Sequence, residues 1–200
     1  MKKVLFFALI VLSINGLQAQ IYPKGSVNFS AGYGALSYGK IFLDLVTSGL
    51  DLKNVNTSLA GPVYIKSEYA VADNFTIGLN VNYSKTSATF TLDSAAYIGK
   101  YSGTFGLRST SLILRANYTF PFAEDRGGFM IGGGLGYRGF TLSYADSDPR
   151  TPTDGGLSIP IPFTGELTMG VRYYFTENIG AYIETGVTRS FLQGGITARF

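Results

Sequence analysis

Few side chains here could do chemistry, and most of them share one placement. Lys66, Glu68, Arg115, Arg138, Glu166, Arg172, Glu184 and Arg199 each stand on the polar parity of a stretch whose other parity is apolar. The 200 residues contain neither His nor Cys. That removes imidazole acid-base chemistry, His-dependent triads, imidazole metal ligands and thiolate nucleophiles. Ser/Lys or paired-carboxylate catalysis is what remains, and the expectation is that the chain is not an enzyme and holds no cofactor or metal. Eight charges in a narrow interior must be paired or wetted, because a buried unpaired charge is very costly. The favoured reading is a salt-bridge plug that fixes strand register; the alternative is a polar path for small solutes.

Two other groups lead nowhere. Asp146, Asp148 and Asp154 are oxygen donors, but their spacing with Pro149 and Pro152 matches no standard calcium loop. Gly132-Gly133-Gly134 sits inside a strand-like alternation with no helix after it, so it is not a phosphate cradle. Small residues there permit close approach of neighbouring groups.

The elements that must position the charges are strands. Phe75, Ile77, Leu79, Val81 and Tyr83 alternate with Thr76, Gly78, Asn80, Asn82 and Ser84, the period of a strand whose two faces meet different surroundings. The same pattern starts at Val27, Val63, Leu112, Phe129, Leu167 and Ile179, and it closes the chain in Leu192, Gly194, Ile196, Ala198 and Phe200. Eight strands result. Beyond Gly139 the apolar parity shifts to Phe140, Leu142 and Tyr144, which predicts a bulge near Gly139. Long connections are expected at residues 34–61, 89–107 and 145–158, alternating with tight turns. In the first, Ile41, Leu45 and Val46 have helix-compatible spacing, but a loop folded over its own apolar residues is the favoured reading.

Residues 1–19 carry a basic start at Lys2 and Lys3, an apolar run from Val4 to Leu12, and small Ala19 before Gln20, the pattern of a cleaved export signal. The mature domain is then 20–200. Without Lys2 and Lys3 the 16 basic residues become 14 against 13 acidic ones, a balance that gives no support to nucleic-acid binding. Charged residues make up 14% of the chain, against about 25% in ordinary soluble domains.

The apolar parity is bracketed by aromatics. Tyr69, Phe75, Tyr118, Phe120, Phe129, Tyr173, Phe175 and Phe200 fall near the tight turns, and Tyr33, Tyr83 and Tyr137 near the long connections. Phe75 and Tyr83 lie about 26 Å apart along their strand, about 20 Å in height after barrel tilt. The opposite parity is mostly Gly, Ser, Thr and Asn, suited to a filled interior rather than a solvated exterior. The expected fold class is all-β: an eight-stranded antiparallel transmembrane β-barrel, an up-and-down meander, with a secreted soluble barrel as the alternative.

The signal segment, the eight alternating strands, the Tyr69-Ala70-Val71-Ala72-Asp73-Asn74-Phe75 hairpin and the closing Gly195-Ile196-Thr197-Ala198-Arg199-Phe200 resemble the small outer-membrane β-barrels of the A, X and W types. The resemblance covers the whole mature chain. It implies the outer membrane of a diderm bacterium, with outer-membrane lipid as surroundings. It also implies insertion by the barrel-assembly machinery, which in that family reads a terminal strand ending in an aromatic; Ile196, Ala198 and Phe200 match. The family shares no single activity, so fold does not convert to function. The expected role is membrane-structural, or surface binding of an extracellular ligand through the long connections. The alternative is a narrow porin-like channel for small or apolar solutes, with lateral exit.

Overall fold

The computed structural model describes residues 21–49, 53–93, 100–123, 126–146, 155–187 and 190–200. The expected export signal at 1–19, Asp148 and Asp154 lie outside them. Eight strands run in chain order as a closed antiparallel barrel: β1 (Val27–Ser37), β2 (Lys53–Ala72), β3 (Phe75–Asp93), β4 (Lys100–Phe122), β5 (Gly127–Asp146), β6 (Gly155–Tyr174), β7 (Ile179–Val187) and β8 (Ser190–Arg199). The expected meander is the observed one. β8 closes onto β1 through pairs from Asn28–Arg199 to Ser37–Ser190. Phe200 extends the seam by two backbone hydrogen bonds with Val27, at 2.8 and 2.9 Å, and its ring meets Phe29 edge-on. Ile196 and Phe200 point outward and are exposed.

The strands differ in height far more than the alternation suggests. β2 to β6 have 19 to 23 residues, whereas β7, β8 and β1 have 9, 10 and 11. Of the expected long connections, residues 89–93 and 100–107, and 145–146 and 155–158, are strand. The reason is physical: above the apolar belt both faces of a strand meet water or a wide interior, so a run such as Lys85-Thr86-Ser87-Ala88-Thr89 needs no lipid-facing parity and its period fades. The last β1–β2 pair is Tyr33–Val63 and the last β6–β7 pair Leu167–Val187. Above those points β2 to β6 form a curved wall, open on one side.

At Leu36 the backbone takes a left-handed φ of 54° and leaves β1 for a helix, α1 (Tyr38–Gly49). This corrects the loop reading of residues 34–61. The helix packs on β3, β2 and β1, burying Leu43 and Thr47, and Lys40 and Asp44 pair one turn apart at 2.6 Å. Asp44 also accepts from the Thr57 hydroxyl of β2 at 2.8 Å, which ties the helix to the wall. Ile41, Phe42 and Leu45 stay exposed.

The bulge is also displaced from its expected place. The β4–β5 register runs unbroken through Thr110–Gly139, so β5 keeps its parity and Phe140, Leu142 and Tyr144 remain on the inward side. The shift lies in the β5–β6 pairing, where Gly136 faces Thr164 but Arg138 faces Ile161, so β6 holds the extra residue. Below it Glu166, Thr168 and Arg172 turn inward; above it Leu157, Ile159 and Ile161 do.

Candidate functional site

The lower lumen is a buried ion network. Lys66 Nζ lies 2.7 Å from Glu184 Oε2, and Arg172 Nη1 lies 2.9 Å from Glu68 Oε2. Arg115 sits between all three acids, 3.5 Å from Glu166 and Glu184 and 3.6 Å from Glu68. Amides complete the shell: Asn117 and Asn28 donate to Glu68 at 2.7 and 3.0 Å, Asn80 to Glu166 at 2.8 Å and Gln193 to Glu184 at 2.9 Å. Three carboxylates thus face three cations.

Every strand except β5 supplies a polar group to this network. β5 supplies space instead. A Cβ on Gly132 would collide with Asn117 Oδ1, the acceptor that Arg115 Nη2 reaches at 2.8 Å, and one on Gly134 or Gly136 would strike β4. The run of small residues is therefore the slot into which the Arg115 side of the network fits.

The structure thus brings together Lys66, Glu68, Arg115, Glu166, Arg172 and Glu184. It separates the remaining two expected members. Arg199 does not turn to the carboxylates: at the strand end its guanidinium donates to the Glu177 carbonyl at 2.7 and 3.1 Å and to the Ile21 carbonyl, and it lies over the Tyr174 ring. Position explains this, because the last turn of the barrel offers main-chain carbonyls nearer than any lumen acid. Arg138 lies at the upper boundary of the network, its guanidinium 5.7 Å from the Phe140 ring centroid.

Sequence reasoning also missed a cork. Ile21 and Tyr22 are buried in the short-turn mouth, Tyr22 to 1% exposure, among Ala70 and Tyr174. Their backbone N–H groups donate to Asn74 Oδ1 at 3.0 and 3.4 Å, and Asn74 N returns a bond to the Tyr22 carbonyl at 2.9 Å. The Tyr22 hydroxyl sits 3.0 Å from that of Tyr174 and also accepts from Arg172. Ile21 and Tyr22 follow no strand period, so the alternation that marks the barrel does not mark them.

The upper lumen is different in kind. Phe90, Phe105 and Tyr144 stack in sequence across β3, β4 and β5 with centroid spacings of 5.1 Å. Beside α1 is a cavity of about 410 Å³. Tyr38 and Phe42 of the helix, Leu107, Phe140, Leu142, Leu157, Ile159 and Ile161 give it apolar walls; Ser84, Ser109 and Arg138 are its polar points. The size falls within the range of about 300–1,000 Å³ usual for small-molecule sites. The α1 start bridges the open side, its Tyr38 hydroxyl donating to the Gly186 carbonyl of β7 at 3.2 Å.

No family model and no curated protein matches this sequence. Solved structures do. The N-terminal β-barrel domain of Pseudomonas aeruginosa OprF is similar at 12% identity and a TM-score of 0.47, over 88% of this chain and 98% of that one. Ail, the attachment invasion locus protein of Yersinia pestis, in complex with the heparin analogue sucrose octasulfate, gives 12% identity and a TM-score of 0.44, over 88% and 99%. The outer membrane protein OprG of Pseudomonas aeruginosa gives 11% and 0.41, over 90% and 97%. These are small outer-membrane barrels, the class of molecule that the sequence resembles.

Proposed function

We propose that the protein is an outer-membrane β-barrel whose lumen is sealed and whose tall end binds a small, mainly apolar molecule from outside the cell. The membrane reading is supported by a molecule turned inside out. Outward-facing Ile65, Leu79, Leu114, Leu135, Met169, Ile183 and Ile196 are exposed by 47–72% around the lower barrel, while its interior holds the ions. Soluble monomers rarely expose contiguous apolar patches beyond a few hundred Å²; a full belt bracketed by Tyr and Phe suits a bilayer. Short turns then face the periplasm and the tall wall faces outward.

The observation that carries the functional reading is the division of the lumen at Arg138. Below it, ions and the Ile21-Tyr22 cork occupy the bore; above it, an apolar cavity stands open. Binding at the outer end fits this division better than conduction through it. Planar-bilayer recording of the refolded protein tests the point. The reading expects no stable unit conductance. Steady unit openings whose size changes on Glu68→Gln would replace it with the narrow-channel alternative.

A further inference from the structure

We infer that Lys85 and Arg108 form a clamp on the outer wall for a phosphate monoester carried by a lipid of the outer leaflet. The inference rests on the bilayer reading of the outer face and does not involve the cavity.

Both side chains point away from the lumen. Their neighbours Ser84, Thr86 and Ser109 are buried on the inner side and Leu107 lines the cavity, so alternation turns Lys85 and Arg108 outward, where both are exposed. β3 and β4 place them directly opposite each other, in the register Tyr83–Thr110, Lys85–Arg108, Ser87–Gly106. Opposed residues on one face have Cβ atoms about 5 Å apart, and like charges so placed repel. Among the described residues nothing relieves that repulsion. Neither side chain has a hydrogen bond, ion pair or ring contact with any of them. The other cross-strand neighbours are Ala60 on β2 and Thr141 on β5. Of the described carboxylates, Glu68, Glu166 and Glu184 lie in the lumen, Asp44 is paired with Lys40, and Asp73 and Glu177 sit at the short-turn end.

Height selects what can relieve it. Tyr33, Tyr83 and Tyr137 are exposed at the upper edge of the apolar belt, the place of an interfacial aromatic girdle. Lys85 follows Tyr83 by two residues on the same face, about 7 Å along the strand. Long cationic stems there lie along apolar surface and hold their charges at headgroup level. Two cations at one point call for two negative charges at one centre. A phosphate monoester supplies about −1.5 to −2, whereas a carboxylate or a phosphodiester supplies a single charge. Arg108 offers a planar fork to two of the phosphate oxygens, and Lys85 a point charge to the third.

The test uses the full mature chain at pH 8 in nanodiscs of phosphatidylcholine alone, with added phosphatidate, or with twice as much phosphatidylglycerol. Phosphatidate is a phosphate monoester; the phosphatidylglycerol supplies the same surface charge as monoanions. A water-soluble acylating reagent is added, and its attack on Lys85 and Lys24 is followed by peptide mass spectrometry. Lys24, exposed at the other rim of the same disc, registers the general surface charge. Phosphatidate is expected to slow acylation of Lys85 at least fivefold relative to phosphatidylcholine discs, and that of Lys24 less than twofold. Arg108→Gln should remove most of the protection of Lys85, while Arg126→Gln at the short-turn rim leaves it. Equal slowing at Lys85 and Lys24 overturns the site. Protection of Lys85 by phosphatidylglycerol as strong as by phosphatidate overturns the monoester as its ligand. Inorganic phosphate added to phosphatidylcholine discs separates the sources: no protection is expected, and protection equal to that by phosphatidate overturns the lipid as carrier. The comparison of Lys85 with Lys24 in the parent decides even if the Gln variant fails to assemble. Failure of the chain to co-elute with any disc overturns the bilayer reading and the clamp with it, whereas co-elution without selective protection overturns the clamp alone.

Discussion

Below Arg138 the barrel interior is filled with ions and amides from seven strands; above it β3, β4 and β5 turn Phe90, Phe105, Leu107, Phe140 and Leu142 inward. The halves share one wall and differ in what surrounds it. Where the outside is apolar the inside must hold the polar groups, and each of those must find a partner in a narrow space. Where the outside meets water, that constraint lifts and apolar side chains can gather inside. Paired polar groups are thus concentrated in the lower half, and open apolar space in the upper half.

The sharpest way to break this contrast is to unbalance the plug. Arg115→Met leaves three buried carboxylates short of a cation, and breaking a buried pair costs about 3–5 kcal/mol. Urea unfolding in lipid vesicles, followed by gel mobility, should show a loss of that size. A loss below about 1 kcal/mol, the value of an exposed pair, would mean that the network is wet and carries little.

A smaller effect is expected at the cork. Tyr22→Phe removes one hydroxyl from between Arg172 and Tyr174 and should cost about 1–3 kcal/mol, with faster hydrogen exchange at the Ile21 and Tyr22 amides. Unchanged exchange there would show that the hydroxyl does not hold the cork.

The smallest effect belongs to the upper half. Hydrogen bonds from Lys40 and Thr57 hold the Asp44 carboxyl below its usual range. A carboxyl lowered in the folded state binds protons less readily there than in the unfolded chain. Its contribution is therefore present above the ordinary aspartate value of about 4 and is lost as pH falls through the lower folded value. Protease cleavage within α1 should rise only in that acid window, with the barrel intact, and Asp44→Asn should abolish the dependence. The same acid dependence in the Asn variant would assign it elsewhere.

The lower half was legible in the sequence because an apolar outer face over a polar interior requires a strict alternation. Phe75 to Tyr83 read as a strand, and Lys66, Glu68, Arg115, Glu166, Arg172 and Glu184 read as one inward set. Parity, however, gives a side and not a height. Arg199 shares the inward parity yet ends at the rim among main-chain carbonyls, and Arg138 shares it yet borders the cavity. The upper half was less legible because its strands, such as Thr86 to Phe90, carry no lipid-facing period, and because the extra residue of β6 reverses the parity of Leu157 to Ile161. The cork follows no period and could only be seen in place.

The central claim is that the bore is closed below Arg138 and open above it from outside the cell. With no native Cys, single substitutions report directly. Intact cells carrying Leu142→Cys, in the cavity wall, or Thr168→Cys, in the plug, are treated with a charged, membrane-impermeant maleimide. Rapid labelling is expected at 142 and none at 168 until the barrel is unfolded. Labelling at 168 as fast as at 142 would contradict it.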